Sequence, residues 1–433
     1  MKKLFCSLLI GTAATSLFML TGCGLDQHPA YSPGIEFGVR LDPIIMVGTA
    51  ADLGDDRFEP DRPGVLPLVK YDDIFKPEHP MYAKSAKIAE REMLRDPANL
   101  TEKDRKELVD ALKAHFGTPA NPTINAKLTG IDEATVKQLQ LDDATLAEGS
   151  TRYRVHCMHC HGVPGDGRGP TARWINPHPR DFRQGVFKFQ SVDQATDGQN
   201  RPPSRGDLER TLRQGLEGTA MPTFGILPDR DIDTLISYVM VLSIRGKTEY
   251  EIIKGCYDFD NKAKMLVWNG VFPDTKAAAQ FFSNQTIMDG WKVANDPARK
   301  IKVYPYPYKD GDVDALKKSV MLGQQLFTGS KEHPRGDKAN CKQCHDDYGR
   351  QARFKFDEWG TFVRPNNFTQ GTFRGGRRPV DMYYRIHSGI NGSGMARFGK
   401  AGVLEGQDIW DLINFITVLS YPPMRDKLGI RID

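Results

Sequence analysis

The sequence predicts a mainly α protein: two similar helical domains in tandem, behind an irregular and partly helical N-terminal extension. Three observations predict it. Residues 231–243 and 408–420 are near copies, with Leu235, Tyr238 and Leu242 matching Leu412, Phe415 and Leu419 at helical spacing. Upstream, 179–188 parallels 365–374, and 215–221 parallels 389–395. Each copy also follows a Cys-x-x-Cys-His pentapeptide, Cys157-Met158-His159-Cys160-His161 and Cys341-Lys342-Gln343-Cys344-His345. The repeat is long and aperiodic, so it reads as a duplicated domain and not as a solenoid. A chain of 433 residues has room for two or three domains.

Taken in order, Lys2 and Lys3 precede an apolar run from Leu4 to Leu20, the pattern of a signal peptide over residues 1–22. The run is short and interrupted by Gly and Thr, which argues against a retained membrane span. It ends in Leu20-Thr21-Gly22-Cys23, which resembles a bacterial lipobox. That resemblance implies that Cys23 is lipidated and becomes the first mature residue, anchoring the protein to a membrane on its periplasmic side. Residues 23–140 read as an extension. Its first part, to about residue 80, is rich in Pro, Gly and Asp and is expected to drape over the folded part as a tether. Helical spacing follows over Tyr82–Arg95, and Thr101-Glu102-Lys103-Asp104 predicts a capped helix to His115.

The first repeated domain spans 141–248. Asp143 is expected to cap a helix to His156, with Gly149 and Tyr153 on one face. The glycine-rich stretch Gly162–Pro170 after the first pentapeptide has the look of a phosphate cradle, but no strand precedes it, so a loop wrapping the neighbouring motif is expected instead. Helices are predicted over 206–216 and 229–243. Residues 249–310 form a connector too rich in aromatics for a free linker and are expected to pack between the domains. Its Tyr304-Pro305-Tyr306-Pro307-Tyr308 run reads as an extended covering strip. The second domain spans 311–425, and its first helix carries Gly323 and Phe327, again four apart.

The pentapeptide is the attachment pattern of c-type haem. Cys157 and Cys160, and likewise Cys341 and Cys344, are each spaced to form two thioethers to one porphyrin, with His161 or His345 beneath the iron. A zinc site would require four thiols to converge from distant parts of the chain, and a redox pair would leave both histidines unexplained. Two covalently bound haem c groups are expected. Of the seven cysteines, this leaves Cys256 as a buried, inert thiol and no structural disulfide in the mature chain. The formal charge of +4 falls to +2 without Lys2 and Lys3, and four haem propionates bring it to about neutral. A nucleic-acid partner is not indicated, although Lys and Arg near either haem could guide an acidic redox partner.

With these residues in place, the chain resembles the class I cytochromes c over roughly 142–245 and 312–422. In that family a Gly-x-x-x-aromatic helix crosses a carboxy-terminal helix bearing an aromatic residue. Gly149/Tyr153 against Tyr238, and Gly323/Phe327 against Phe415, fit that pattern. The family's distal ligand is a methionine. The resemblance implies Met221 and Met395, which follow their histidines by 60 and 50 residues. His178 and His387 are the rival ligands. Asp346 stands where the first copy has Gly162, so the proximal loop of the second site must differ, and Ala396 follows Met395 where Pro222 follows Met221. His156 and His159 are expected at the surface. Arg173 and Arg180 are candidates to pair with propionates or to stay solvated.

Ligation by His and Met fills both axial positions and favours ferrous iron, the chemistry of an electron carrier. The resulting expectation is a dihaem c-type cytochrome passing single electrons at the periplasmic face, as a respiratory-complex subunit or shuttle. Its partners would be a quinol-oxidising complex, a terminal oxidase or a soluble cytochrome. The alternative is a dihaem enzyme, peroxidase or thiosulfate dehydrogenase-like, which needs one open or labile axial site. A third reading makes residues 24–140 a docking module for a partner.

Overall fold

A computed structural model describes residues 30–42, 44–45, 94–196, 198–260, 262–353, 355–356 and 362–432. The predicted signal peptide, Cys23 and most of the predicted helix Tyr82–Arg95 lie outside the described residues. The end of that stretch, Leu94–Arg95 (β2), is not helical. It pairs antiparallel with Ile44–Ile45 (β1). Arg95 is buried there, its Nε donating to the Tyr257 carbonyl at 2.7 Å and its Nη2 to Asp258 at 2.9 Å, so a distant partner overrides the local periodicity.

Helix α1, Glu102–Phe116, starts at Thr101, whose hydroxyl accepts from the Asp104 amide at 3.0 Å. It buries Leu108, Ala111, Leu112 and Phe116. Two short helices follow, α2 (Ala126–Thr129) and α3 (Glu133–Leu139), capped by Asn125 and Asp132. Helix α4, Asp143–His156, is capped by Asp142 and not by Asp143; the Asp142 carboxylate accepts from the Thr145 amide at 3.0 Å. One helical turn, α5, spans Met158–His161. Helix α6 is Arg205–Gln214, opened by a capping box of Ser204 and Asp207.

Helix α7 runs from Asp229 to Cys256, well past the predicted end at Ser243. Gly246, within it, is a close-approach site. A Cβ there would stand 2.4 Å from Arg183 Cα, so glycine admits the 183 segment against a continuing helix. The connector continues as a hairpin, β3 (Tyr257–Asp260) with β4 (Met265–Trp268), and then α8 (Thr275–Gln285), which runs into the π-helical turn Thr286–Lys292. Helix α9 is Val313–Thr328, capped by Asp312, followed by the single turn α10, Gly336–Ala339. A two-residue ladder joins Lys355–Phe356 (β5) to Phe362–Val363 (β6). Helices α11 (Pro379–Ser388), α12 (Gly406–Leu419) and α13 (Pro422–Leu428) close the chain. Among the described residues no helix is long and apolar enough to cross a membrane.

Two hydrophobic cores result. The first joins α1, α4 and α7, and it also takes in Tyr257, Leu266, Ala278, Ile287 and Trp291 of the connector. The connector is therefore built mainly into the first core, while its end, Ile301 and Val303, reaches the second. The second core joins α9, α11 and α12.

Each core is centred on a helix crossing at a glycine. A Cβ on Gly149 would lie 2.1 Å from the Thr234 carbonyl oxygen, and one on Gly323 would lie 2.0 Å from that of Asp411. The aromatic residue one turn on meets its partner across the crossing: Tyr153 and Tyr238 at 5.1 Å, Phe327 and Phe415 at 5.5 Å. Gly149→Val should force the α4–α7 backbones apart and cost about 3 kcal/mol or more, by the usual scale of core overpacking. Gly34→Ala, where nothing lies within 4 Å, serves as the neutral control. Denaturant unfolding of the two variants measures the difference.

Candidate functional site

The two Cys-x-x-Cys-His motifs lie in separate cores, so their four thiols do not converge on one metal. Cys157 belongs to the first core and Cys341 packs against the second. Burial pushes each of these two thiols up to about 12. Cys160 is half-buried, 3.3 Å from the Thr171 hydroxyl, and Cys344 is exposed. None of the four is in a disulfide.

The two histidines are held in the same way. His161 Nδ1 lies 3.0 Å from the carbonyl of Arg180, and His345 Nδ1 lies 3.0 Å from that of Asn366. Residues 180 and 366 are equivalent in the repeat. A carbonyl cannot donate, so it draws the ring proton to Nδ1 and leaves the Nε2 lone pair for a Lewis acid. Each ring also lies on a phenylalanine two residues further on, Phe182 or Phe368, both at 4.6 Å between centroids. A second phenylalanine backs the first, Phe187 or Phe373. Burial lowers His161 to about 4, which keeps the imidazole neutral at physiological pH. A neutral, oriented imidazole beside two thiols at this spacing is a donor set that fits a covalently held haem.

The glycine-rich loop closes around the first motif. Amides of Gly167 and Gly169 donate to the carbonyls of His161 and Cys160 at 2.9 and 3.1 Å. Tyr153 Oη, on α4, donates to the Gly162 carbonyl at 2.8 Å. These amides serve the motif itself, so the loop is not a phosphate cradle. The second motif closes differently: Asp347 and Tyr348 have positive φ, 48° and 56°, and the Tyr348 ring stacks on Phe327 at 5.7 Å.

Met221 and Met395 occupy equivalent loops. Helices α6 and α11 end at Gly215 and Gly389, with φ/ψ of 67°/−167° and 69°/−169°. The next amide, of Leu216 or Ile390, donates back to the methionine carbonyl at 3.1 or 3.3 Å. Both side chains are half-buried, Met221 against the first core and Met395 against the second. Of the rival ligands, His178 Nδ1 is 3.1 Å from the Pro179 carbonyl. The His387 ring stacks along Tyr383 and its Nδ1 is 4.0 Å from Asp193. His159 is exposed and His156 half-buried beside Phe224. Arg173 is exposed and lies over the Trp174 ring, 5.0 Å from its centroid. The Tyr304–Tyr308 run covers α12: Trp410 Nε1 donates to the Tyr304 carbonyl at 2.6 Å, and Tyr306 meets the Trp410 ring at 5.2 Å. Cys256 is fully buried, its thiol pushed up to about 11.

Sequence reasoning missed an ionic lock over the first site. Residues 30–42 pass across the first core, and Asp42 pairs with both Arg168 and Arg183. Arg168 belongs to the glycine-rich loop, and Arg183 follows the phenylalanine under His161. Arg183 also binds Asp181 at 2.7 Å, and the Arg40 amide donates to Glu249 on α7 at 2.9 Å. Burial works to raise the Asp42 pKa, but the guanidiniums of Arg183, Arg40 and Arg168 outweigh it and hold the carboxyl at about 2. The only sequence signal was Asp42 itself, among many acids of an irregular stretch.

Residues 144–239 match the family described as cytochrome C oxidase, cbb3-type, subunit III. The first half of the chain therefore contains a cytochrome c domain, bounded by α4 and α7, and a cytochrome c domain carries haem c. No curated protein matches the chain. Among solved structures, a chain of the Kuenenia stuttgartiensis reducing HAO-like protein complex is similar at 21% identity and a TM-score of 0.41, over 63% of this chain and 95% of that one.

Asp42→Asn leaves buried guanidiniums short of a partner and should cost about 3 kcal/mol near neutral pH. The folded carboxyl sits below its ordinary value of 3.8, so its contribution is present above that value and lost as pH falls towards 2. Chemical unfolding from pH 7 to 2 should therefore show the two proteins converging over that acid window.

Proposed function

We propose that the chain is a dihaem c-type cytochrome carrying single electrons at the periplasmic face of a membrane. The observation that carries this reading is the duplicated setting of His161 and His345. A carbonyl on Nδ1 and a phenylalanine beneath the ring recur at equivalent positions in both halves. A bound haem supplies a one-electron couple. The chain's part is to hold it. Cys157 and Cys160, or Cys341 and Cys344, would fasten the porphyrin, and His161 with Met221, or His345 with Met395, would ligate its iron. The phenylalanines against each histidine hold it in place, so little needs to rearrange as charge changes. With both ligands supplied by the chain, neither site would keep a place for a substrate. Cys23 is the lipid anchor in this reading. The family match to a cbb3-type oxidase subunit favours service as a respiratory-complex subunit over a free shuttle.

The purified full-length protein should contain two haem c per chain and show the weak near-infrared methionine–ferric band for both. Met221→Ala should remove about half of that band, lower one midpoint potential and open one site to an added ligand; imidazole titration and potentiometry read these changes. An unchanged spectrum would sink the Met221 assignment. Turnover with peroxide or thiosulfate would move the protein to the enzyme class.

A further inference from the structure

We infer that the face around the first Cys-x-x-Cys-His motif lies against an anionic phospholipid surface, with Trp174 and Ile226 in the headgroup layer. This inference rests on the lipid-anchor part of the proposed function. Among the described residues, the three most exposed large apolar side chains are Ile226, Trp174 and Leu41, at 92%, 79% and 73%. All three flank this motif. Trp174 follows Thr171 by three residues, and the Thr171 hydroxyl lies 3.3 Å from Cys160 and donates to the His159 carbonyl at 2.8 Å. Ile226 follows Phe224 by two, and the Phe224 ring lies 6.2 Å from that of His156, which adjoins Cys157. Leu41 precedes Asp42, which pairs with Arg168 of the glycine-rich loop. Exposed apolar residues scattered singly are ordinary, but the extremes of a whole chain gathered at one place mark a contact surface. Its chemistry suits lipid headgroups. An indole with the Arg173 guanidinium over it is amphipathic, and such side chains settle where headgroups meet acyl chains. From Arg152 to Arg180 the chain has five arginines and one acid, Asp166, a bias that favours an anionic surface.

An acidic protein would suit the same charge, but only the bilayer is brought to this face by the chain itself. Tyr31 is buried near the carboxyl end of α4, with the Arg154 guanidinium 5.8 Å from its ring centroid, and Ala30 before it is exposed. Arg154 is three residues before Cys157. The residues that follow Tyr31 are fastened at intervals. Glu36 pairs with Lys113, the Gly38 carbonyl accepts from Arg245 at 3.2 Å, and the Arg40 amide donates to Glu249 at 2.9 Å. With these contacts in place, the strap adds no slack to the tether. Tyr31 is eight residues from Cys23. That length reaches at most roughly 28 Å when fully extended. A compact chain of this size has a radius of gyration of roughly 22 Å, so the tether is comparable to one radius of the protein. A lipid on Cys23 then keeps the side that bears Tyr31, Arg154 and the first motif turned towards the bilayer. Tether length and side-chain exposure are independent observations, and both select the same face.

The test is photolabelling of the full-length protein in vesicles of phosphatidylethanolamine and phosphatidylglycerol. A phospholipid carrying a diazirine near its headgroup supplies the label, and mass spectrometry of peptides maps it. Peptides containing Trp174 and Ile226 should take about fivefold more label, or better, than those containing Val271, Met321 and Tyr421, which are also exposed. A variant with Trp174→Gln and Ile226→Gln changes only exposed positions. It should stay on the vesicles through its lipid and lose that excess. Label spread evenly over the surface, or centred on Met321 and Tyr421, overturns the inference and leaves the face for a protein partner. A variant that labels as wild type does overturns it equally. A Cys23 peptide without acyl groups overturns the anchor reading first, and the inference with it.

Discussion

Backbone touching backbone at Gly149 and Gly323 is the contact from which the rest of each half follows. With no Cβ in the way, α4 lies directly on the Thr234 carbonyl and α9 on that of Asp411. The crossing places Tyr153 and Phe327 within the core, Tyr153 one turn before its motif and Phe327 at the end of α9, fourteen residues before Cys341. Tyr153 then ties the helix to the first motif through the Gly162 carbonyl. Phe327 has no hydroxyl to do the same. The second half replaces that bond with a ring contact, Tyr348 on Phe327, which requires the left-handed backbone at Asp347 and Tyr348. One helix crossing thus supports two solutions to the same problem. The change from Gly162 to Asp346 after the histidine alters the loop and leaves the histidine's own contacts in place.

The repeat made much of this legible in advance. Matching Gly149/Tyr153 to Gly323/Phe327, and Tyr238 to Phe415, located both crossings, because backbone contact demands glycine at one fixed offset from an aromatic residue. Matching Pro179–Lys188 to Pro365–Arg374 marked the segments that hold the histidines. It did not say that carbonyls 180 and 366 would face Nδ1, since any residue supplies a carbonyl. The helix predicted over 229–243 continues to Cys256, and the glycine within that continuation, Gly246, is required by Arg183, 63 residues away in sequence. Helices α2 and α3 are too short to show a period. The Asp42 lock joins groups 141 residues apart, and nothing local announces such a pair.

Outside the histidine environment the halves diverge, and the divergence is physical. The first motif is covered by the glycine-rich loop and clamped by Asp42 through Arg168 and Arg183, on a core enlarged by α1, α8 and the connector. The second is part of a smaller core whose helix α12 is faced by the Tyr304–Tyr308 strip. Cys160 is half-buried while its counterpart Cys344 is exposed. For a haem, burial, nearby charge and hydrogen bonding set the potential once the ligands are chosen. On the dihaem reading, equal ligand sets in unequal surroundings give two unequal potentials. Duplication followed by one-sided elaboration is a direct way to build such a difference.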